Sequence, residues 1–325
     1  RLRALQTARQ FLEHTVAGVA PQGIVDALET LQVDEHDGQF PPLKMLSDDA
    51  AKELLDGLIA GTLDDNAQRM LLGKAGIPYS TYAHMGNGIW RSGREVLPRG
   101  YSGSTLDLAS PDAKGTWAGK TFERPLSHGR VYSKEEIWQN YTYFIKKVVP
   151  VAEEAGVRIG IHPDDPPEPV LAGVPRCIFS NFEGYKRAIE IANSPNIGVC
   201  LCCGSWLEGG KMTGADPVEM IRYFGSRKKL FKIHFRNVSA PLPHFTETMI
   251  DDGYYDMSKI MRALVEVKFE GIVIPDHVPG LGSDPNTPVP GARGSAGAGF
   301  RPSPALAYLI GSMQAMLVAA QGKKS

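Results

Sequence analysis

The sequence carries no surplus of charge of either sign: 35 basic and 36 acidic side chains leave a formal net charge of -1. Such a balance provides no general attraction to nucleic acid or to an anionic membrane, and neither is expected as a partner. Long hydrophobic runs are also missing. The most apolar stretch, Ala305 to Ala320, covers about 16 residues where a spanning helix needs ~20, and Ser312 and Gln314 interrupt it. It reads as a buried terminal helix. Cysteine is scarce, at four residues, and three of them (Cys200, Cys202 and Cys203) fall within four positions, far from Cys177. Alternate residues of a strand share a face, so Cys200 and Cys202 lie together and Cys203 opposite. A disulfide framework is thereby disfavoured. With no secretory or transit pattern legible, reduced thiols in the cytoplasm are the expectation. No repeat, heptad or low-complexity tract is present, which sets aside solenoids, coiled coils and collagen-like chains.

What is abundant is glycine and proline, 35 and 24 residues, about 18% of the chain against a usual ~12%. The excess points to long connections. Length alone suggests two domains, at ~150 residues each, but a single (β/α)8 barrel with extended loops accounts for 325 residues as well. Periodicity predicts helices over Leu2–Thr15, Asp48–Ala60, Asn66–Ala75, Ser133–Ala155, Glu183–Ala192, Pro217–Phe224, Met257–Val267 and Ser303–Ala320. Between them stand short apolar or β-branched runs: Gly23–Ala27, Ile77–His84, Val157–His162, Ile197–Cys202, Leu230–Val238 and Gly271–Asp276. Alternation of this kind predicts a parallel sheet covered by helices. Two segments break it, residues 86–130 and 279–304, and both read as long loops following a strand. In parallel α/β folds, chemistry gathers at that end of the strands.

The last residue of each later strand carries the functional signal. Ile159-Gly160-Ile161 runs into His162, Val199-Cys200-Leu201 into Cys202, Phe231-Lys232-Ile233 into His234, and Ile274-Pro275 into Asp276. One such histidine is most simply a core residue, and one such cysteine a small hydrophobe. Four in register on consecutive parallel strands converge, and together they make a set of two imidazoles, a thiolate and a carboxylate. Zn²⁺ accepts those donors, and Mn²⁺, Fe²⁺ or Co²⁺ does so when substrate oxygens complete the sphere. His277, next to Asp276, has an ordinary pKa suited to proton transfer; the plainer reading is a hydrogen bond to a ligand carboxylate. Arg236 projects from the same face as His234 and suits a substrate carboxylate, the alternative being a salt bridge to Asp164 or Asp165.

The strings His162-Pro163-Asp164-Asp165-Pro166-Pro167, Cys202-Cys203-Gly204-Ser205, His234-Phe235-Arg236-Asn237-Val238 and Pro275-Asp276-His277 resemble the D-mannonate dehydratase family. Phe245-Thr246-Glu247, Asp256-Met257 and Tyr308-Leu309 follow its pattern too. The resemblance implies a xylose-isomerase-like TIM barrel, here one domain over residues 1–325. It implies a divalent ion, usually Mn²⁺, on His162, Cys202, His234 and Asp276, and dehydration of D-mannonate to 2-keto-3-deoxy-D-gluconate. His277, Arg236 and Asp165 would then be catalytic, and Asp164, Ser205, Asn237, Trp90 and His84 would meet the sugar acid.

The sequence departs from the family at several positions. Gly297-Ala298-Gly299 stands where the family has Gly-Tyr-Gly, and Ile274, Val278, Ile250 and Ala83 replace an arginine, a glycine, a histidine and an asparagine. Matches to the family's first and third strands are missing. The metal shell is kept while the substrate shell is altered, so two alternatives stay open. One is a metal-dependent ketose isomerase or epimerase working through an enediol. The other is a non-catalytic relative with a structural metal. A homo-oligomer is expected on base rate.

Overall fold

A computed structural model describes residues 78–117, 120–126, 129–175, 178–281 and 304–322. The strand expected at Gly23–Ala27, the three helices expected before residue 77, most of the segment 279–304 with Gly297-Ala298-Gly299, and Cys177 lie outside them.

Strands β1 (Tyr79–Tyr82), β7 (Arg158–Ile161), β10 (Ile197–Cys202), β11 (Leu230–Phe235) and β14 (Ile272–Pro275) form one parallel sheet, ordered as they occur in the chain. A doubly wound sheet reverses its order at a switch point. Sequential order with every crossover on one side instead makes the arc of a barrel, and the described strands form such a half-barrel. The crossovers are α1 (Lys134–Ala155), α2 (Phe182–Ala192), α3 (Cys203–Gly209) with α4 (Pro217–Ser226), and α5 (Met257–Glu266); α6 (Pro304–Ala320) follows β14. Among the described residues, no helix is long and apolar enough to cross a membrane.

Local chemistry explains these boundaries. Ser133 caps α1 by accepting from the Glu136 amide at 3.1 Å, and the Glu136 carboxylate accepts from the Ser133 amide at 3.3 Å. Gly156 ends the helix in the left-handed conformation, φ 68°, where an L side chain is disfavoured. Trp138, Tyr141, Ile145, Val148 and Ala152 recur at helical spacing and are the face that α1 buries. On the sheet, β10 is buried along its whole length, which is why it reads as an unbroken apolar run.

The segment 86–130 corrects one expectation. Its described residues include five strands: β2 (Ile89–Arg91), β3 (Gly93–Val96), β4 (Tyr101–Asp107), β5 (Lys114–Trp117) and β6 (Lys120–Phe122). After β7 come the small hairpin β8 (Val170–Leu171) and β9 (Val174–Pro175), and after β11 come β12 (Asn237–Val238) and β13 (His244–Thr248). Strand β4 pairs antiparallel with β13, β3 and β15 (Gly280–Leu281), so the insertion is sewn to loops that leave the ligand-bearing ends of β11 and β14. It adds β-structure beside those ends.

Candidate metal centre and its ionic surround

Register brings the first two ligand residues level. Cys202 on β10 pairs directly with His234 on β11, because the pairing shifts by one residue between Val199 and Cys200. Without that shift Ile233 would lie beside Cys202, since a one-residue slip exchanges the faces of a strand. His162 follows the last residue of β7, and its amide donates to the Tyr82 carbonyl at 2.7 Å. One ligand atom from each of His162, Cys202 and His234 lies within 4.8 Å of the others. Asp276 stands beside this group, with Oδ2 3.4 Å from Cys202 Sγ and 3.7 Å from His234 Nδ1.

The donor set fits a divalent cation. His234 is 4% exposed, yet neither ring nitrogen has a hydrogen-bond partner among the described residues. Buried polar atoms without partners are uncommon, and a ligated ion would supply one. His162 Nδ1 donates to the Pro163 carbonyl at 2.7 Å, which leaves Nε2 as its electron-pair donor. Burial lowers the pKa of both imidazoles, outweighing the Asp276 carboxylate, and so keeps them in the neutral form that ligates. Burial pushes the Cys202 thiol up to about 12, against the pull of Arg236. A cation bound there would therefore displace the thiol proton.

Around these ligands lies a network of ions that the sequence showed only in part. Arg236 is 1% exposed and sits at its centre. Its Nε donates to Asp276 Oδ2 at 3.2 Å, and Nη1 donates to Glu208 at 2.7 Å and Glu247 at 3.2 Å. Nη2 donates to Asp165 at 3.2 Å, Ser205 Oγ at 3.0 Å and Cys202 Sγ at 3.4 Å. Every nitrogen of the guanidinium is occupied by the protein. The salt bridge from Arg236 to Asp165 is present. The close approach depends on Gly204, where a Cβ would fall 2.3 Å from Arg236 Nε.

Arg91, from β2 of the insertion, is the second cation. Its Nη1 donates to Asp165 Oδ1 at 2.6 Å and its Nη2 to Glu247 Oε1 at 2.5 Å. Burial alone would raise the Asp165 pKa, but the two guanidiniums hold it well below the usual carboxylate range. Burial likewise opposes ionisation of Glu247, and the charges of His277, Arg91 and Arg236 bring it down to about 2. Glu208 shows the opposite balance: burial and then Asp165 raise it to about 7 against both arginines. His277 Nδ1 donates to Glu247 Oε1 at 2.7 Å. Burial would lower the His277 pKa, but Asp276 and Glu247 prevail and lift it to about 9.

Thus His162, Cys202 and His234 come together as the strand ends predicted, with Asp276, His277, Arg236, Asp165 and Ser205 bonded around them. Ser205 Oγ bridges Arg236 and Cys202, donating to the sulfur at 3.3 Å. Asp164 is buried beside Asp165. Two residues expected at the substrate are tied into the surrounding backbone. Trp90 is fully buried and its indole donates to the Asn87 carbonyl at 3.1 Å. Asn237 is fully buried and its amide donates to the Ile250 and Tyr255 carbonyls at 3.0 and 2.8 Å. Both hold backbone in place and present no free face. His84 lies in an aromatic cluster: its Nδ1 pairs with Tyr82 Oη at 2.6 Å, and its ring meets Tyr141 and Phe179 edge-on. Burial lowers it to about 4. Arg91, Glu208 and Glu247 join the network although no strand-end pattern marks them. Only Glu247 left a trace in the sequence, as the end of Phe245-Thr246-Glu247.

Comparison with known proteins gives this geometry a context. Residues 116–316, well over half of the chain, match the family model described as D-mannonate dehydratase (UxuA). A mannonate dehydratase of Streptococcus equi subsp. zooepidemicus is 33% identical over 224 residues, 63% of this chain and 60% of that protein. A mannonate dehydratase of Enterococcus faecalis is 40% identical over 152 residues, 45% of this chain and 40% of that protein. The chain spans about half the length of the curated relatives it matches. The crystal structure of mannonate dehydratase from Streptococcus suis serotype 2 superposes with a TM-score of 0.67 at 26% identity, covering 95% of this chain and 85% of that one.

Proposed function

The chain belongs to the D-mannonate dehydratase family, and from that premise we propose that it is a metal-dependent hydro-lyase converting D-mannonate, or a related aldonate, to 2-keto-3-deoxy-D-gluconate and water. The observation that carries the reading is the convergence of His162, Cys202 and His234 within 4.8 Å at the ends of neighbouring parallel strands. In this reading His162, Cys202 and His234, with Asp276 beside them, would hold a divalent ion, Mn²⁺ foremost, which would stabilise the negative charge that develops as a base takes the C2 proton.

The protein's own groups divide the remaining work. Glu247 fixes Nδ1 of His277 at 2.7 Å, so Nε2 is the atom that delivers a proton to the departing C3 hydroxyl. The His277 side chain is 34% exposed, enough to be reached from solvent, while Glu247 behind it is 2% exposed. Arg236 acts from behind the ligands, where its charge stabilises both the Cys202 sulfur and the Asp276 carboxylate. Asp165 is a weak base between two guanidiniums; its part is to hold them.

The test is incubation of metal-loaded protein with D-mannonate, followed by NMR detection of the 2-keto-3-deoxy acid. No product across a panel of aldonates, with metal shown to be bound, would overturn the proposal.

A further inference from the structure

The antiparallel insertion does more than cover the ligand ends of the barrel. It sends one charged side chain into the ionic network, that of Arg91, whose side chain is 16% exposed. Its neighbour on β2, Trp90, is fully buried, and the Trp90 amide donates to the Asp165 carbonyl at 3.3 Å. The strand is thus tied to the loop that follows β7 at the same level as the guanidinium. The Arg91 guanidinium also lies over the Phe245 ring, 5.2 Å from its centroid. Stacked on one face and bonded at its edge, it has little freedom to turn.

Two branches leave Arg91. On one, Nη1 and Nη2 grip both oxygens of Asp165 at 2.6 and 3.2 Å, and Asp165 Oδ2 accepts from Arg236 Nη2. On the other, Nε and Nη2 donate to Glu247 Oε1 at 3.2 and 2.5 Å, the same oxygen that accepts from His277 Nδ1. Arg236 Nη1 is a fourth donor to that oxygen, at 3.2 Å, and a carboxylate oxygen so held cannot swing without losing several charge-assisted bonds, so its position defines where the imidazole points. His277 itself has φ 47°, an uncommon backbone conformation for a residue with a Cβ.

We propose that Arg91 is a positioning residue for the reaction: through Glu247 it fixes the ring of His277, and through Asp165 it fixes Arg236 behind the metal ligands. The kinetic part of this rests on the dehydratase reading; the structural part does not. Arg91 lies among the protein's carboxylates, with both Nη atoms engaged by them, so its contribution falls on turnover and not on substrate affinity.

The experiment uses the metal-loaded full chain and the variants Arg91→Ala and Arg91→Lys. Arg91→Ala is expected to lower kcat by about 10- to 100-fold while KM changes less than about threefold. Added guanidinium ion should restore part of that loss, and Arg91→Lys should recover little, since an ammonium cannot replace a planar fork. Independently of activity, ¹⁵N-histidine NMR of the zinc-loaded protein should show the His277 Nδ1 proton hydrogen-bonded in the parent and lost or rapidly exchanging in Arg91→Ala. The proposal is overturned if kcat is unaltered in a folded variant, or if KM rises in step with the loss of kcat/KM. It is equally overturned if the Nδ1 signal is unchanged. If the parent turns over no aldonate, the dehydratase reading fails, and the NMR comparison still decides whether Arg91 sets the imidazole.

Discussion

His162 and His234 face one another with ring centroids 5.0 Å apart and planes inclined at 53°. Two neutral imidazoles so placed gain little from stacking, and among the described residues His234 has no hydrogen bond to account for its burial. With Cys202 they form a set of converging electron pairs. Replacing Cys202 or His234 by alanine should reduce bound metal from about one ion per chain to a small fraction, measured by elemental analysis after gel filtration. Unchanged metal content in both variants would place the ion elsewhere. Chelation should raise hydrogen exchange at the ends of β10 and β11 before other parts of the sheet.

Gly204 opens a second line. Its Cβ would fall 2.3 Å from Arg236 Nε and 2.5 Å from Cζ, and Arg236 is enclosed by four carboxylates. Gly204→Ala should therefore destabilise the protein by about 2 kcal/mol, as overpacking does. It should also weaken metal binding by about 10- to 100-fold as Arg236 leaves Cys202 and Asp276. Denaturant unfolding and a cobalt titration check the two effects separately.

Two buried acids with opposite shifts contribute separable parts of the pH dependence of stability. Glu247 is held at about 2 in the fold, below the ~4.3 of a free glutamate, so its contribution is present above pH ~4.3 and is lost as pH falls toward 2; it is about 3 kcal/mol. Glu208 is raised to about 7, so the folded state binds its proton more tightly than the unfolded state, and stability falls as pH rises from about 4.5 to 7. In metal-free protein the two acids thus act on opposite sides, Glu247 on the acid limb and Glu208 between about pH 4.5 and 7. Glu247→Gln should flatten the acid side and Glu208→Gln the neutral side, in unfolding curves taken across the range. An unchanged slope in either variant would contradict the corresponding assignment.

The cap of α1 supplies a prediction away from the site. Ser133→Ala removes the bond to the Glu136 amide and should cost about 1 kcal/mol. For a domain of this size that amounts to a fall in melting temperature of about 2–4 °C. Metal content should stay the same.

Much of the barrel arc was legible because its strands are buried and short and its helices carry caps. Ile197–Cys202 matches the observed β10 residue for residue, and the Ser133 to Ala155 pattern gives α1 with its cap. The insertion was not legible. Strand β3 is exposed at all four positions, so no period of two marks it, and its pairing with β4 is all that makes it a strand. Helix α3 is buried at every residue and therefore has no apolar stripe to read.

By itself the sequence determined which residue types stand at the strand ends, because parallel strands place their last residues on one rim whatever the loops between them do. The tertiary structure decided the rest. It set the one-residue shift that puts Cys202 beside His234, and it joined Arg91 to Glu247 across 156 positions of chain. It also enclosed Arg236 in a cage of buried carboxylates. Charge pairing inside a protein depends on distance in space and on exclusion of water, and a linear pattern encodes neither.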